Sequence, residues 1–352
     1  MDEVSAFAAT VARFMKHEVA PHVAQLDLQP AAPTAVDVPH LLAPLGLPGL
    51  GDVDAEDLPP AALVRVLWAM AAECAGVAAF VAHAAAGRLV AERLGFTPPA
   101  GLIALGLLEA REPFAADGAI DVAARVEGDR VVAEKRAVPL APVAAALGLL
   151  ARRGADPCLA WVTPGEGVTV GAPLGLLGLR SVPRADLHVS GAPLLACTPL
   201  PPCDLGWLFG LLGLLLGACA GGTAAAAIAA ARAYAHDRYQ GGTTIDRHEA
   251  VALLLESNQS HLEAAHDALL AAADRFAPDE PTTWRAALRV KIATAPVATA
   301  AALDAVQVLG GYGYMRDYGL EKRLRDAVTL GLLPCDSTRL ALLASTGGLP
   351  PP

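Results

Sequence analysis

Two segments in the C-terminal third of the chain place polar side chains next to glycines. In the first, Gln307 precedes Gly310, Gly311 and Gly313. A backbone rich in glycine lets a ligand come close, and its free N–H groups suit a phosphate. The same pattern is typical of a helix end followed by a tight turn. The spacing leaves both interpretations open.

The second segment has an arginine at the end of an apolar stretch. Arg238 precedes Gln240, Gly241 and Gly242. An arginine in this position can hold an anion through two parallel hydrogen bonds. It can equally be a solvated residue that interacts with the C-terminal end of a helix. Arg238 is therefore a candidate anion-binding residue.

The remaining reactive side chains indicate little chemistry. The six cysteines are widely spaced and form no CxxC pair, which argues against a zinc site or a disulfide framework. His83 lies in an apolar stretch and is predicted to be a packing residue with satisfied hydrogen bonds. The chain begins with Met1-Asp2-Glu3 and lacks the basic and apolar regions of a secretory signal. These features predict a cytoplasmic protein without a metal site.

The composition limits the possible classes of protein. A length of 352 residues predicts two or three domains. With 26 basic and 36 acidic residues the net charge is −10, which argues against a nucleic-acid partner because phosphate-backbone binding needs a positive surface. Hydrophobic residues make up 54% of the chain and charged residues 18%, which excludes general disorder. The mean hydropathy of +0.44 indicates either a membrane segment or large buried helix and subunit surfaces.

A run of 27 residues, Leu205–Ala231, contains no charge. This exceeds the ~20 residues that span a bilayer. Its second half, however, is mostly Ala and Gly, and no cluster of Lys or Arg flanks it to set an orientation. The sequence therefore predicts a helix buried within a bundle and no membrane span.

Hydrophobic periodicity predicts three domains, with the boundaries 1–99, 100–200 and 201–352. The first is α-helical. The second is a β domain, because alternating segments at 120–126 and 130–134 flank Glu127-Gly128-Asp129 in a hairpin pattern, and short strands follow. The third is helical, with helices predicted at about 205–238, 249–276 and 283–309. The fold class is α+β.

Several segments resemble the acyl-CoA dehydrogenase family. Ala233 to Gly242 with Ile245 and Val251 resembles its pattern A-Y-A-x-E-R-x-Q-F-G-x-x-I-x-x-x-Q-A-V. Asp304 to Tyr314 resembles E-A-V-Q-x-x-G-G-Y-G-Y, and Glu321 to Ala327 resembles E-R-x-Y-R-D-A. The resemblance extends to Phe14–Pro21 and to Leu42–Leu47 in the first domain. It implies the family fold of an N-terminal helical domain, a middle β domain and a C-terminal four-helix bundle.

The resemblance also implies FAD bound at a subunit interface. In this family the corresponding residues hold the pyrophosphate and adenine end of a flavin that is seated mainly on a neighbouring subunit. Gly241 stands where the family has Phe. The cofactor-binding residues implied for this chain are Arg238, Gln240, His248, Gln307, Gly310, Gly311 and Gly313.

The catalytic base of the family is missing from its expected position. The family places a Glu six residues after R-D-A, and that position is Pro334 here, followed by Cys335 and Asp336. Proline cannot accept a proton, and Asp336 is two residues away. An alternative base position near the start of the apolar helix is Gly210–Leu214, which has no carboxylate. We predict no catalytic residue in this chain.

The middle domain also departs from the family. The W-I-T or W-I-S segment, which lies against the flavin ring, corresponds to Arg136–Leu140, without the Trp or the hydroxyl. The T-E-P-x-A-G-S-D segment survives only in part at Glu109–Pro113. The half of the site that would hold a flavin ring is thus altered, while the half that reaches a neighbour's flavin is kept.

The resemblance therefore favours a subunit of a heteromeric acyl-CoA dehydrogenase. A catalytic partner would supply the Glu and most of the acyl-CoA site in an α2β2 heterotetramer, with electron-transfer flavoprotein or a similar acceptor. Such paired enzymes of lipid metabolism are associated with steroid side-chain CoA esters in actinobacteria. Two alternatives stay open: a self-sufficient flavoprotein with altered chemistry, and a non-catalytic scaffold of the same fold.

Overall fold

The computed structural model describes residues 3–28, 37–47, 58–110 and 121–346. The first block is helical, the middle block forms a sheet, and the last block is a helical bundle, as the family resemblance predicts. The helices of the described chain are α1 (Glu3–Phe14), α2 (Val23–Leu28), α3 (Val38–Leu42), α4 (Pro60–Arg93), α5 (Pro202–Asp237), α6 (Glu249–Asp274), α7 (Pro281–Leu309), α8 (Leu320–Gly331) and α9 (Ser337–Thr346). The three domain boundaries themselves stay predictions.

The middle block is one mixed sheet of eight strands in the order β6-β7-β3-β2-β4-β5-β8, with β1 paired to β4 in parallel. The predicted hairpin is confirmed as β2 and β3, which pair antiparallel around Gly128. Residue 120 lies outside the described residues. The strands are β1 (Ile103–Gly106), β2 (Arg125–Glu127), β3 (Arg130–Pro139), β4 (Ala146–Arg153), β5 (Asp156–Val162), β6 (Val168–Val170), β7 (Arg184–Pro193) and β8 (Ala196–Pro199), with a small separate hairpin of β9 (Tyr239–Gln240) and β10 (Thr243–Thr244).

Helix α4 is interrupted at one residue, which the sequence does not predict. Cys74 has extended backbone angles, φ −147° and ψ 103°, inside the helix. The interruption frees a carbonyl near the break, and the Arg323 guanidinium donates to the oxygen of Ala72 at 2.7 Å. A distant helix thus satisfies the backbone of α4, since a buried carbonyl without a partner is costly.

Helix α5 carries a stripe of glycines that larger residues of other helices cover. A Cβ added at Gly206 or Gly210 would overlap Trp284 of α7, and one added at Gly221 would overlap Trp68 of α4. Backbones can approach closely where side chains are absent, and the tryptophans fill the space. We call these three glycines the α5 stripe.

Three helices are long and apolar enough to cross a membrane by length and composition: α4, α5 and the segment Pro281–Tyr312. In the most apolar part of α5, 89% of the residues are buried inside the protein. This burial agrees with the prediction of a bundle helix for Leu205–Ala231. The absence of a membrane span stays a prediction.

The segment that resembles R-D-A forms a structural junction between domains. One oxygen of Asp326 accepts from the backbone N–H of Leu179 at 2.6 Å, and the other accepts from Lys322 at 2.6 Å. The neighbouring Arg325 donates to Asp27 of α2 at 2.6 and 3.0 Å. These contacts join α8 to α2 and to the loop before β7. We call this set the Asp326 junction.

The Asp27–Arg325 pair should make stability depend on acid pH. Burial alone would raise the pKa of Asp27, but the hydrogen bonds and charge of Arg325 outweigh it and lower the pKa below the ordinary value of 3.8. A lowered folded-state pKa contributes stability above the unfolded pKa and loses it as the pH falls through the folded one. We expect parent protein to exceed Asp27→Asn in urea-denaturation stability by a constant amount from pH 5 to 7. The difference should shrink below about pH 4; a difference that persists undiminished at about pH 2.5 would contradict this.

Candidate functional site

A small cavity lies where the helical blocks and the sheet meet. We call it the central cavity. Its walls come from α4, β1 and the segment after it, β3, β7, α5 and the segment after α8. They are mainly aliphatic, with Leu105, Leu107, Val138, Pro139, Leu212 and Pro334 among the lining residues. The positions at which the family resemblance predicts a catalytic base and a contact with the flavin therefore lie together around this cavity.

Both candidate base positions reach this cavity without a carboxylate. Pro334 and Leu212 line it, and no Asp or Glu is among its described lining residues. Asp336 is exposed and instead accepts from the backbone N–H of Thr338 at 2.8 Å at the start of α9. Cys335 is buried. The nearest carboxylate in sequence is thus a helix cap, and no carboxylate among the described lining residues takes the place of the family's Glu.

Glu109, a carboxylate of the altered middle segment, accepts hydrogen bonds on both of its oxygens. It accepts from Lys135 at 2.7 Å and from the backbone N–H groups of Ala123 and Ala124 at 2.6 and 3.0 Å. Burial lowers the pKa of Lys135, whose side chain is completely enclosed. Residues 111–113 of this segment lie outside the described residues. Glu109 joins β3 to the segment before β2 and does not line the central cavity.

The counterpart of the flavin-contacting segment, Arg136–Pro139, does line the central cavity. Arg136 donates to Asp186 at 2.6 Å, and the backbone N–H of Ala137 donates to the same carboxylate at 2.8 Å. Ala137 has a positive φ of 47°. The segment is held by Asp186, but it offers no aromatic ring or hydroxyl to a ligand.

His83 corrects the sequence prediction of a satisfied packing histidine. It lines the central cavity, and its Nε2 is buried without a hydrogen-bond partner among the described residues. Beside it lies Arg184, whose Nε and one Nη are also buried and unpaired. Sequence reasoning missed Arg184 altogether. Its only signal was a cation at the start of a strand whose inward positions are otherwise apolar.

The central cavity does not fit a flavin ring. Its volume is about 30 Å³, which is room for roughly two or three water molecules. Pockets that hold cofactor-sized groups are roughly 300–1,000 Å³. The aliphatic walls and the side chains of His83 and Arg184 bound this small space.

The second group of candidate residues lies at the far end of α5, on the surface. Arg238 directly follows α5 and is exposed, and its guanidinium has no hydrogen bond or ion pair within the described parts of the chain. The β9–β10 hairpin follows, and its turn residues Gly241 and Gly242 have φ of 63° and 88°. The hairpin brings the backbone N–H of Ile245 back to the carbonyl of Arg238 at 2.9 Å. The hairpin thus holds the backbone of Arg238 in place, while its guanidinium is exposed and has no partner among the described residues.

His248 and Gln240 contact each other in the structure. The Nε2 of His248 lies 3.0 Å from the backbone oxygen of Gln240, and its ring packs on Gly241. The imidazole therefore braces the hairpin. Any contact of these two residues with a cofactor stays a prediction.

The glycine turn is adjacent to this surface. Tyr234, one turn before Arg238, lies 6.2 Å from Tyr312 between ring centroids. Gln307, Gly310 and Gly311 are exposed, and a Cβ at either glycine would meet no atom within 4 Å. The space around them would admit a phosphate group.

Gly313 has a different role from its neighbours. It is buried, and a Cβ there would overlap the backbone of Val306. Its N–H donates to the oxygen of Gly310 at 3.0 Å. Gly313 closes the turn against α7. At this position the glycine therefore serves the helix end, as the second interpretation of the motif predicts. For the other residues, a role at the pyrophosphate and adenine end of a neighbour's flavin stays a prediction.

The described residues form no metal-binding site. Within the described ranges, no group of three or more His, Cys, Asp or Glu side chains converges on one point. The two candidate sites are therefore the surface around Arg238 and Gly310, which would admit a phosphate group, and the central cavity.

Comparison with known proteins identifies the family. The model of the C-terminal domain of acyl-CoA dehydrogenases matches residues 209–333. The probable acyl-CoA dehydrogenase YngJ of Bacillus subtilis is 32% identical over 170 residues, which is 47% of this chain and 44% of that protein. Benzylmalonyl-CoA dehydrogenase of Aromatoleum aromaticum is 29% identical and is covered over 92% of both chains.

Solved structures share the whole fold. Butyryl-CoA dehydrogenase from Megasphaera elsdenii superposes with a TM-score of 0.81 at 19% identity, covering 99% of this chain and 98% of that one. Glutaryl-coenzyme A dehydrogenase in its glutaryl-CoA complex gives a TM-score of 0.82 at 19% identity, covering 98% and 94%. The C-terminal domain of this chain thus matches the acyl-CoA dehydrogenase family by sequence, and the whole chain has the fold of the acyl-CoA dehydrogenases of known structure.

Proposed function

We propose that this chain is the non-catalytic subunit of a heteromeric, FAD-dependent acyl-CoA dehydrogenase. Members of the family bind FAD. In the proposed complex this chain completes the FAD site of a catalytic partner subunit, and the partner supplies the base that removes the α-proton of the acyl-CoA. The arrangement is an α2β2 heterotetramer located in the cytoplasm.

One observation carries the proposal: the two halves of the site have diverged. The central cavity, at about 30 Å³, is too small for a flavin ring and is lined by Pro334 and Leu212. The surface around Arg238 keeps an exposed, unpaired guanidinium within the described residues, next to the open turn at Gly310 and Gly311. A chain that had lost flavin chemistry altogether would have no need of the second half.

The residues of this chain would bind the cofactor and leave the proton transfer to the partner. The guanidinium of Arg238 can pair with the pyrophosphate through two parallel hydrogen bonds, and the amide of Gln307 can hold the adenine end. When bound, FAD accepts the two electrons that leave the acyl-CoA on α,β-desaturation. Electron-transfer flavoprotein or a similar protein then takes them onward.

The acyl-CoA class is supported by the names of the relatives, which include dehydrogenases of benzylmalonyl-CoA and of glutaryl-CoA. Within that class we propose a steroid side-chain CoA ester as the substrate. The chain is rich in Ala, Leu and Arg but has only four Lys, which suits a high-GC bacterium. Paired enzymes of this family in such bacteria act on these esters.

The purified chain alone should bind little FAD and show no dehydrogenase activity. The central cavity excludes the ring, and no carboxylate among its described lining residues can act as base. The test is the visible spectrum and the turnover of acyl-CoA by the chain alone and after co-expression with a full-length homologue from a neighbouring reading frame. Flavin should appear only in the co-purified complex.

The other outcomes of this experiment separate the alternatives. Stoichiometric flavin and turnover in the chain alone would overturn the proposal and indicate a self-sufficient flavoprotein. A complex that forms without any contribution of this chain to flavin retention would indicate a scaffold.

A further inference from the structure

Arg184 is a buried cation that has no counter-charge among the residues that the structure describes. It begins β7, is 5% exposed, and lines the central cavity. Its Nε and one Nη make no hydrogen bond among the described residues. Arginine stays protonated in proteins, and a buried charge is normally paired or hydrogen-bonded.

The described residues that line the central cavity offer Arg184 no carboxylate. Burial lowers the pKa of Arg184 to about 10, and no carboxylate offsets the effect. Arg136 also lines the cavity, and the carboxylate nearest to it, Asp186, is already engaged by Arg136 itself. His83 faces the same space, and burial together with the charge of Arg184 lowers its pKa to about 3. His83 is therefore neutral and can donate through Nε2.

The cavity has the size of a small ligand. At about 30 Å³ it can hold a few waters, but water alone would leave the guanidinium charge unbalanced. A small anion would satisfy both the unpaired donors and the charge. A phosphate ester or a flavin ring would exceed the volume.

We propose that the central cavity binds one small monovalent anion, of chloride to formate size, held by Arg184 Nε and Nη and by His83 Nε2. The aliphatic lining excludes competing water, which strengthens the ion pair. The site is independent of FAD and of any partner subunit. In this chain the anion site lies where the family resemblance would place a flavin ring.

The test is thermal unfolding of the full-length chain in sodium chloride and in sodium formate, each compared with sodium gluconate at the same ionic strength. Gluconate is too large to enter. At about one hundred times the Kd, chloride or formate should raise the Tm of the parent by roughly 3–4 °C above the gluconate value. Equal midpoints in all three salts would overturn the proposal. A rise with only one of the two ions would tell which one the site takes.

Two variants attribute the effect to the cavity. Arg184→Met should abolish the chloride and formate shifts, and in gluconate its Tm should equal or exceed that of the parent, because an unbalanced buried cation is gone. Arg323→Met is the matched control, since Arg323 is largely enclosed but donates to Ala72 outside the cavity. It should lower the Tm in every salt and keep the anion shift. An anion shift that survives in Arg184→Met would refute the site.

Discussion

Replacement of Asp326 by alanine should lower the free energy of unfolding by about 3–5 kcal/mol, the usual cost of removing one partner from a buried ion pair. The side chain of Asp326 is 1% exposed and that of Lys322 is 13% exposed. The substitution leaves the Lys322 ammonium without its carboxylate and the backbone N–H of Leu179 without its acceptor. Both losses fall where α8 meets the loop before β7. Urea denaturation followed by circular dichroism measures the change.

The controls for this prediction separate charge from backbone support. Asp326→Asn retains an oxygen for Leu179 and should lose less stability than alanine. Asp274→Ala removes a carboxylate of the exposed pair with Arg65 and should change stability by about 0.5 kcal/mol or less. If Asp326→Ala loses no more than this surface control, the Asp326 junction does not stabilise the domain contact.

Arg238→Ala should weaken FAD binding by the proposed complex about 10- to 150-fold while the complex still assembles. A hydrogen bond to a charged group is worth roughly 1.5–3 kcal/mol, and each 1.4 kcal/mol is a factor of ten in affinity. Arg238→Lys should recover little, because an ammonium cannot form the paired contact of a guanidinium with a phosphate. Gln307→Ala should act in the same direction and more mildly, since its contact is neutral. Flavin titration of the apo-complex gives the Kd values.

The matched control for Arg238 is Arg232, which lies in the last two turns of α5. Its side chain is 40% exposed and, unlike that of Arg238, is paired, with Glu256 at 2.8 Å. Arg232→Ala should bind FAD like the parent. If Arg238→Ala also binds like the parent, then Arg238 is a surface residue and has no role at a neighbour's flavin.

Most of the fold could be predicted from local sequence patterns. The predicted helices 205–238, 249–276 and 283–309 begin and end within three residues of α5, α6 and α7. Prolines at the starts of α5 and α7 and glycine after α7 mark these ends in the sequence, because proline suits the first helical turn and glycine a helix end. After α7 the chain forms two further helices, α8 and α9, with Pro334 between them.

The candidate site was predictable only where it depends on short motifs. Arg238 and the turn at Gly310 lie within one sequence segment each, so spacing reveals them. The central cavity is built from residues that are far apart in the chain, such as His83 and Arg184, and no local pattern places them together. The interruption of α4 at Cys74 has the same cause, since its support comes from Arg323, about 250 residues later.

The α5 stripe constrains how this sequence can change over generations. At Gly206, Gly210 and Gly221 even a methyl group would collide with a tryptophan of another helix. At Gly206 and Gly221 the overlap is with the rings of Trp284 and Trp68, so a larger residue on α5 would fit better beside a smaller one there, although that loss alone would leave a void in the core. At Gly210 the overlap is with Cβ and the backbone of Trp284, which a smaller side chain would retain. We therefore expect Gly206 with Trp284, and Gly221 with Trp68, to change together, and Gly210 to stay glycine.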